Sequence, residues 1–326
     1  LWACDAITGA VVFRSPHDAQ WEGYKAPTPA DGKVYICGGQ FGGMYGFDGV
    51  TGRREWFANL AQKDQWTPAV DARYAYGYAG RELVAVDRVS KQVAFRILDP
   101  NSDGSYGLTP TLSANGYAFI ANPIRLACFD LDRRVVRYEL RGSYAGQPAV
   151  HGGRLYAVES GDLEVRDAST GTLLWREAHG QLRGSILVTR DHVFASASAE
   201  TIAVDLVSRR RVWTLAVGGA LSMGASTLFI SGPNLQLTAV KFDRRPTPIR
   251  VEPARIHYDR VPKVVTIHGD GFTVGTGVEV RFGASKATAV RVVNDDTIIC
   301  TAPDLGPGIV DVSVRHSISE GTLKRA

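Results

Sequence analysis

Apolar and polar positions alternate in short bursts over the first three quarters of this chain, and six of those bursts share one frame. They read LWACDAITGAVVFR, MYGFDGVTGRREWF, LVAVDRVSKQVAFR, LACFDLDRRVVRYE, LEVRDASTGTLLWR and IAVDLVSRRRVWT. Each is a short apolar strand, an Asp, a polar turn and a second strand that holds an aromatic residue. The acids are Asp5, Asp48, Asp87, Asp130, Asp167 and Asp205. The aromatics are Phe13, Trp56, Phe95, Tyr138, Trp175 and Trp213, each eight residues after its Asp. The repeat length runs from 37 to 43 residues.

Each position in the frame has a physical reading. An Asp at a strand end can accept backbone N–H groups of the turn that follows. Thr-Gly closes that turn at Thr8-Gly9, Thr51-Gly52 and Thr170-Gly171, where glycine supplies a positive φ at no steric cost. The returning aromatic is expected to be buried against a neighbouring sheet, at equivalent places in successive repeats. Two further strands precede each hairpin. One starts near Pro29, Pro68, Pro110 or Pro148, and the next reads KVYICGG, RYAYGYA, GYAFIAN, RLYAVES or HVFASAS. Four strands per ~40 residues is the period of a β-propeller blade. A seventh unit (ALSMGAS, TLFISG, LTAVKF) has three strands and lacks both the Asp and the aromatic, while the first unit has only its last two strands. The count is seven blades, with six or eight as alternatives.

The closest fits to the frame, LEVRDASTGTLLW and MYGFDGVTGRREW, resemble the repeats of PQQ-like propellers over residues 1–245. That group includes quinoprotein alcohol dehydrogenases. It also includes the outer-membrane assembly lipoprotein of Gram-negative bacteria, which has the fold without the cofactor. The motif speaks for fold and says little about activity. Beyond the polar linker Asp243–Pro248 the pattern changes to short alternating strands with turns, the signature of a small sandwich. Its landmarks are Ile267-His268-Gly269-Asp270-Gly271-Phe272, Val280-Arg281-Phe282-Gly283, Ile299-Cys300-Thr301-Ala302-Pro303 and Gly308 to Val314. Over residues 246–326 they resemble an IPT/TIG immunoglobulin-like domain. Receptor versions often pair the Cys of the I-x-C-x-x-P strand with one after the Phe-Gly turn. Residues Ala284 to Ala289 contain no Cys, so the resemblance implies an unpaired Cys300. The fold class is therefore all-β: a propeller followed by an Ig-like sandwich. Both ends look cut, as in a fragment of a larger multi-module protein.

Composition narrows the function classes. The chain has 326 residues, 44% hydrophobic and 21% charged, enough apolar material for two domains. Its net charge of +4 is mild and its Lys and Arg are spread from end to end, which argues against nucleic-acid binding. No apolar run reaches the ~18–20 residues of a bilayer span, so no direct membrane insertion is expected. Cys4, Cys37, Cys128 and Cys300 form no C-x-x-C, and the first three are expected to be small buried hydrophobes without disulfides. No N-x-S/T sequon occurs, so neither disulfides nor glycosylation supports an extracellular home.

Catalytic signals are weak. Quinoprotein dehydrogenases use a vicinal Cys-Cys, and no such pair or matching Asp-x-Asp is present. The six frame Asp residues read as structural. His17, His151, His179, His192, His257, His268 and His316 show no H-x-H or H-x-x-x-H spacing. Gly38-Gly39 and Gly42-Gly43 around Gln40-Phe41 read as a long hairpin, with ligand contact at a propeller face as the sharper alternative. Arg209-Arg210-Arg211 and Arg133-Arg134 occupy the hairpin that holds Thr-Gly elsewhere, so they read as solvated turns. No catalytic, cofactor-binding or metal-binding residue is assigned, and no cofactor is expected. The expected role is a non-enzymatic, protein-binding module inside a cell-surface or extracellular assembly, with other proteins as partners. Two alternatives stand beside it: a small-molecule or quinoprotein-like site in the propeller funnel, and an intracellular scaffold such as one in a cilium.

Overall fold

The strands begin and end where the frame places them. The computed structural model describes residues 1–6, 8–17, 26–38, 42–61, 66–105, 107–224, 227–233, 236–241, 246–256, 263–272, 277–315 and 320–324. The chain divides into two compact units: Leu1–Leu221 with Ile230–Gln236, and Ser222–Phe229 with Leu237–Ala326.

In the first unit the Asp48, Asp87, Asp130, Asp167 and Asp205 repeats each form a four-stranded antiparallel sheet in chain order, a propeller blade. The Asp5 repeat contributes the two-stranded sheet Trp2–Cys4 and Val11–Arg14. The repeat without Asp or aromatic forms three strands, Ala220–Gly224, Thr227–Ser231 and Leu237–Lys241, most of whose residues fall in the second compact unit. The core lies between successive blades. On the strand Tyr74–Ala79, Ala75 and Ala79 pack towards the Asp48 blade while Tyr76 and Tyr78 pack towards the Asp130 blade. Losing water on both faces explains why the middle strands read as nearly continuous apolar runs. Trp66, fully buried, lies against Gly77, where a Cβ would come within 2.4 Å of the indole. The inner strands are tied blade to blade: the Thr28 hydroxyl donates to the Pro68 carbonyl (2.5 Å), and Thr111 donates to Pro148 (2.8 Å).

The six aromatics occupy one register. Phe13, Trp56, Phe95, Tyr138, Trp175 and Trp213 stand opposite Ala3, Gly46, Ala85, Cys128, Val165 and Ala203, each two residues before the frame Asp. Each pair sits beside a register shift, which bends the outer strand. Their burial differs from expectation. Phe95 is buried, but the other five are half-buried, because the aromatic lies on the outermost strand with water beyond it. Trp175→Ala is accordingly expected to cost about 2 kcal/mol, below the ~3–5 kcal/mol of a fully buried tryptophan. Urea unfolding of the variant measures this.

The second unit holds a sandwich of two four-stranded sheets. Thr247–Glu252, Val264–Asp270, Thr297–Thr301 and Thr288–Asn294 form one, in that spatial order. Ser285–Lys286, Glu279–Phe282, Val312–Arg315 and Glu320–Leu323 form the other. Val265, Ile267, Phe272, Val280, Ile298 and Val314 fill the space between them. Cys300 lies in this core as a free thiol, and burial pushes its pKa up to about 11. Cys37 and Cys128 are buried too, whereas Cys4 is exposed, contrary to expectation. It lies in the two-stranded sheet, where, among the described residues, the strand Trp2–Cys4 pairs only with Val11–Arg14. Asp243, Arg244 and Arg245 of the linker, with Arg325 and Ala326, lie outside the described residues.

Candidate functional site

The frame residues form a lock that repeats from blade to blade. Each Asp carboxylate accepts the backbone N–H three residues on: Thr8 (2.7 Å), Thr51 (2.9 Å), Ser90 (2.8 Å), Arg133 (2.9 Å), Thr170 (2.9 Å) and Ser208 (2.6 Å). The residue after that takes a positive φ in all six turns, whether it is glycine (Gly9, Gly52, Gly171) or not (Lys91, Arg134, Arg209). Thus Arg134 and Arg209 do occupy the turn position of glycine, at φ 58° and 57°. In three of the repeats that turn receives the aromatic of the preceding one. A Cβ on Gly52 would meet the Phe13 ring at 2.3 Å, and one on Gly171 would meet Tyr138 at 2.9 Å. The Tyr138 hydroxyl donates to the Ala168 carbonyl at 2.9 Å. Where arginine replaces glycine the contact changes kind: the Arg134 guanidinium lies 4.8 Å from the Phe95 ring centroid.

The six carboxylates are therefore not brought together into one site; each is used within its own turn. Donors in the turns hold Asp48, Asp87, Asp130, Asp167 and Asp205 below the usual carboxylate range. The backbone N–H groups of Thr51, Ser90 and Arg133 and the hydroxyls of Ser169 and Ser208 contribute most. A lowered folded-state pKa adds stability that is complete above the unfolded value of ~3.9 and is lost as pH falls through the folded values. The melting temperature should fall as the pH drops below about 4. Asp48→Asn, which has no charge to lose there, should fall less steeply. Circular-dichroism melts across the acid range test this.

A second cluster was not visible from spacing. Asp99 is fully buried at the end of the Asp87 blade and accepts both terminal guanidinium nitrogens of Arg125. It also accepts the Tyr78 hydroxyl at 2.6 Å. Arg125 reaches Glu139 at 3.0 Å within the Asp130 blade. Burial, then the bond to Asp99, raises the Tyr78 pKa. The arrangement stitches two blades together through charge.

A cavity of about 750 Å³ lies between the Asp130, Asp167 and Asp205 blades. It sits at the end opposite the Asp turns, where the second strand of a blade turns into the third (Asn122-Pro123, Ser160-Gly161). Its walls come from inner strands that bulge. Between Ala145 and Ala149, and again between Arg183 and Leu187, the inner strand carries extra residues relative to its partner. Gly146 (φ 69°) and Gly184 (φ 76°) sit in those bulges, and a Cβ on Gly146 would lie 2.0 Å from the Gly184 carbonyl carbon. Glycine in both bulges lets the two backbones touch. A signal for this existed in the sequence: Gly146 and Gly184 recur at the start of successive inner strands.

The other sequence candidates fall elsewhere. Gly38 N–H donates to the Gly43 carbonyl at 3.0 Å, closing a hairpin, while Gly39, Gln40 and Phe41 lie outside the described residues. His257 and His316 also lie outside them. His179 bonds Glu200 at 3.1 Å and His268 bonds Glu252 at 3.3 Å. Among the described residues no three or more His, Cys, Asp or Glu side chains gather as for a metal ion.

Comparison with known proteins agrees with this architecture. Residues 125–241 match the family described as "Outer membrane protein assembly factor BamB", and residues 246–322 match the IPT/TIG domain. Among solved structures, BamB from Moraxella catarrhalis matches with a TM-score of 0.59 at 17% identity, covering 74% of this chain and 78% of that one. The computationally designed Ika8 protein matches with a TM-score of 0.52 at 11% identity, covering 74% and 90%. No match was found among curated protein sequences.

Proposed function

From a chain that carries PQQ-like propeller repeats ahead of an IPT/TIG domain, we propose that this protein is a non-catalytic binding module. It holds other proteins within an extracytoplasmic assembly. The observation that carries this reading is the use made of the repeat's reactive side chains. All six frame carboxylates are engaged by turn N–H groups, and Phe13, Phe95 and Tyr138 pack on the turn of the next blade. The recurring residues build a rigid ring, and the surfaces between them are free to vary for recognition. Both modules are of kinds that typically act without catalysis, and the matched family is named for assembling outer-membrane proteins. The extracytoplasmic setting and the residue boundary 245/246 between the modules belong to this proposal.

The test sets two assays on the same purified chain side by side. Dye-linked alcohol oxidation with added PQQ and Ca²⁺ should stay at the no-protein rate. Chemical cross-linking in native extracts should give one or a few discrete protein adducts. PQQ-dependent turnover by the monomer would overturn the reading.

A further inference from the structure

Among the described residues Arg183 is the single charged one that lines the 750 Å³ cavity, and among them it has no partner. It lies exposed on the bulged inner strand of the Asp205 repeat, two residues before Ser185, so both side chains share that wall. The Ser185 oxygen accepts the Gln147 N–H at 3.3 Å, which leaves its own proton free to donate. Gln181 adds a side-chain amide on the same wall. Among the described residues no lining side chain carries a carboxylate. Glu159, Asp162 and Asp103, which accept hydrogen bonds from the lining residues Ser143, Gly180 and Asn122, have other partners too: Arg176 spans Glu159 at 2.9 Å and Asp162 at 3.3 Å, and Asp103 accepts the Ser105 N–H at 3.0 Å.

An unpaired guanidinium, a free hydroxyl proton and an amide, with no acid facing them, make a donor-rich pocket for an anion. Guanidinium matches a carboxylate in shape, with two parallel N–H donors. We propose that this cavity binds a carboxylate side chain on an extended acidic segment of a partner protein, with Arg183 as the charged anchor. Ser185 and Gln181 supply the neutral donors. The cavity holds about 750 Å³ and runs along the bulged inner strands of two blades, room for more than a single carboxylate group. This rests on the protein-binding role proposed above and names the contact it uses.

The experiment measures binding of a fluorescein-labelled Gly/Ser decapeptide with three Glu residues to the purified 326-residue chain. The same peptide with Gln in place of Glu is the neutral control, and citrate is the small-carboxylate probe. The Glu peptide should bind, the Gln peptide should bind at least tenfold more weakly, and Arg183→Gln should weaken the Glu peptide about tenfold. Arg53→Gln, in the opposite Asp-turn hairpin, should leave binding unchanged. Equal binding by Arg183→Gln and the wild type overturns the site. Citrate binding as tightly as the peptide, with the same loss in Arg183→Gln, overturns the protein source of the carboxylate. If the Glu peptide does not bind the wild-type chain while cross-linking still yields discrete partners, this cavity fails and the protein-binding role stands.

Discussion

Gly146→Ala is expected to cost at least about 3 kcal/mol, whereas Gly152→Ala costs about 1 kcal/mol. Both glycines hold a positive φ, 69° and 55°, so both substitutions bear the same left-handed strain. They differ in what surrounds them. Nothing lies within 4 Å of a Cβ at Gly152, while a Cβ at Gly146 would overlap the Gly184 carbonyl carbon at 2.0 Å and its oxygen at 2.1 Å. Backbone cannot swing aside as a side chain can, so the inner strands of the Asp167 and Asp205 blades must part. A loss of that size is a large share of the ~5–15 kcal/mol that holds a domain folded. Guanidinium unfolding of the two variants measures it. Equal costs would mean that the two inner strands do not touch.

The second large effect belongs to the buried charges. Arg125→Met should destabilise by about 3–5 kcal/mol, because it leaves Asp99 inside the protein with no cation. The Tyr78 hydroxyl and the Asn101 N–H, both neutral donors, cannot replace two guanidinium bonds. The double variant Asp99→Leu/Arg125→Met should regain most of that loss, since two apolar side chains leave no stranded charge. Such a cycle separates the cost of an unpaired charge from the worth of the pair. A single-variant cost below about 1 kcal/mol would mean that the pair is hydrated and the blades are not stitched there.

The Asp frame was legible in the sequence because a tight hairpin fixes its own spacing. An acid at the strand end, a positive-φ residue four places on and an aromatic four places later are all local requirements. Lys91, Arg134 and Arg209 show the limit of that reading. They take φ values of 57° to 66° where glycine was the natural choice, because the turn bonds around them are already made by the Asp carboxylate. The Asp99–Arg125–Tyr78 cluster was illegible, since its members belong to no motif and meet only when two blades pack. Cys4 and five of the six aromatics were expected to be more buried than they are. Apolar character says that a residue can be buried, but the extent depends on whether another sheet covers it. The cavity was half legible. Gly146 and Gly184 marked the bulges, while the lone Arg183 gained meaning only once the described lining around it was known to lack acids.

Site-specific photo-cross-linking from Gln181 at the cavity wall, in the native cellular setting, tests the central claim most directly. A photoreactive amino acid placed there should give a discrete adduct with one partner protein, and the same residue placed at exposed Val89, in an Asp-turn hairpin at the opposite end of the blades, should not give that adduct. No protein adduct from Gln181, with the chain recovered bound only to a small molecule, would contradict the account.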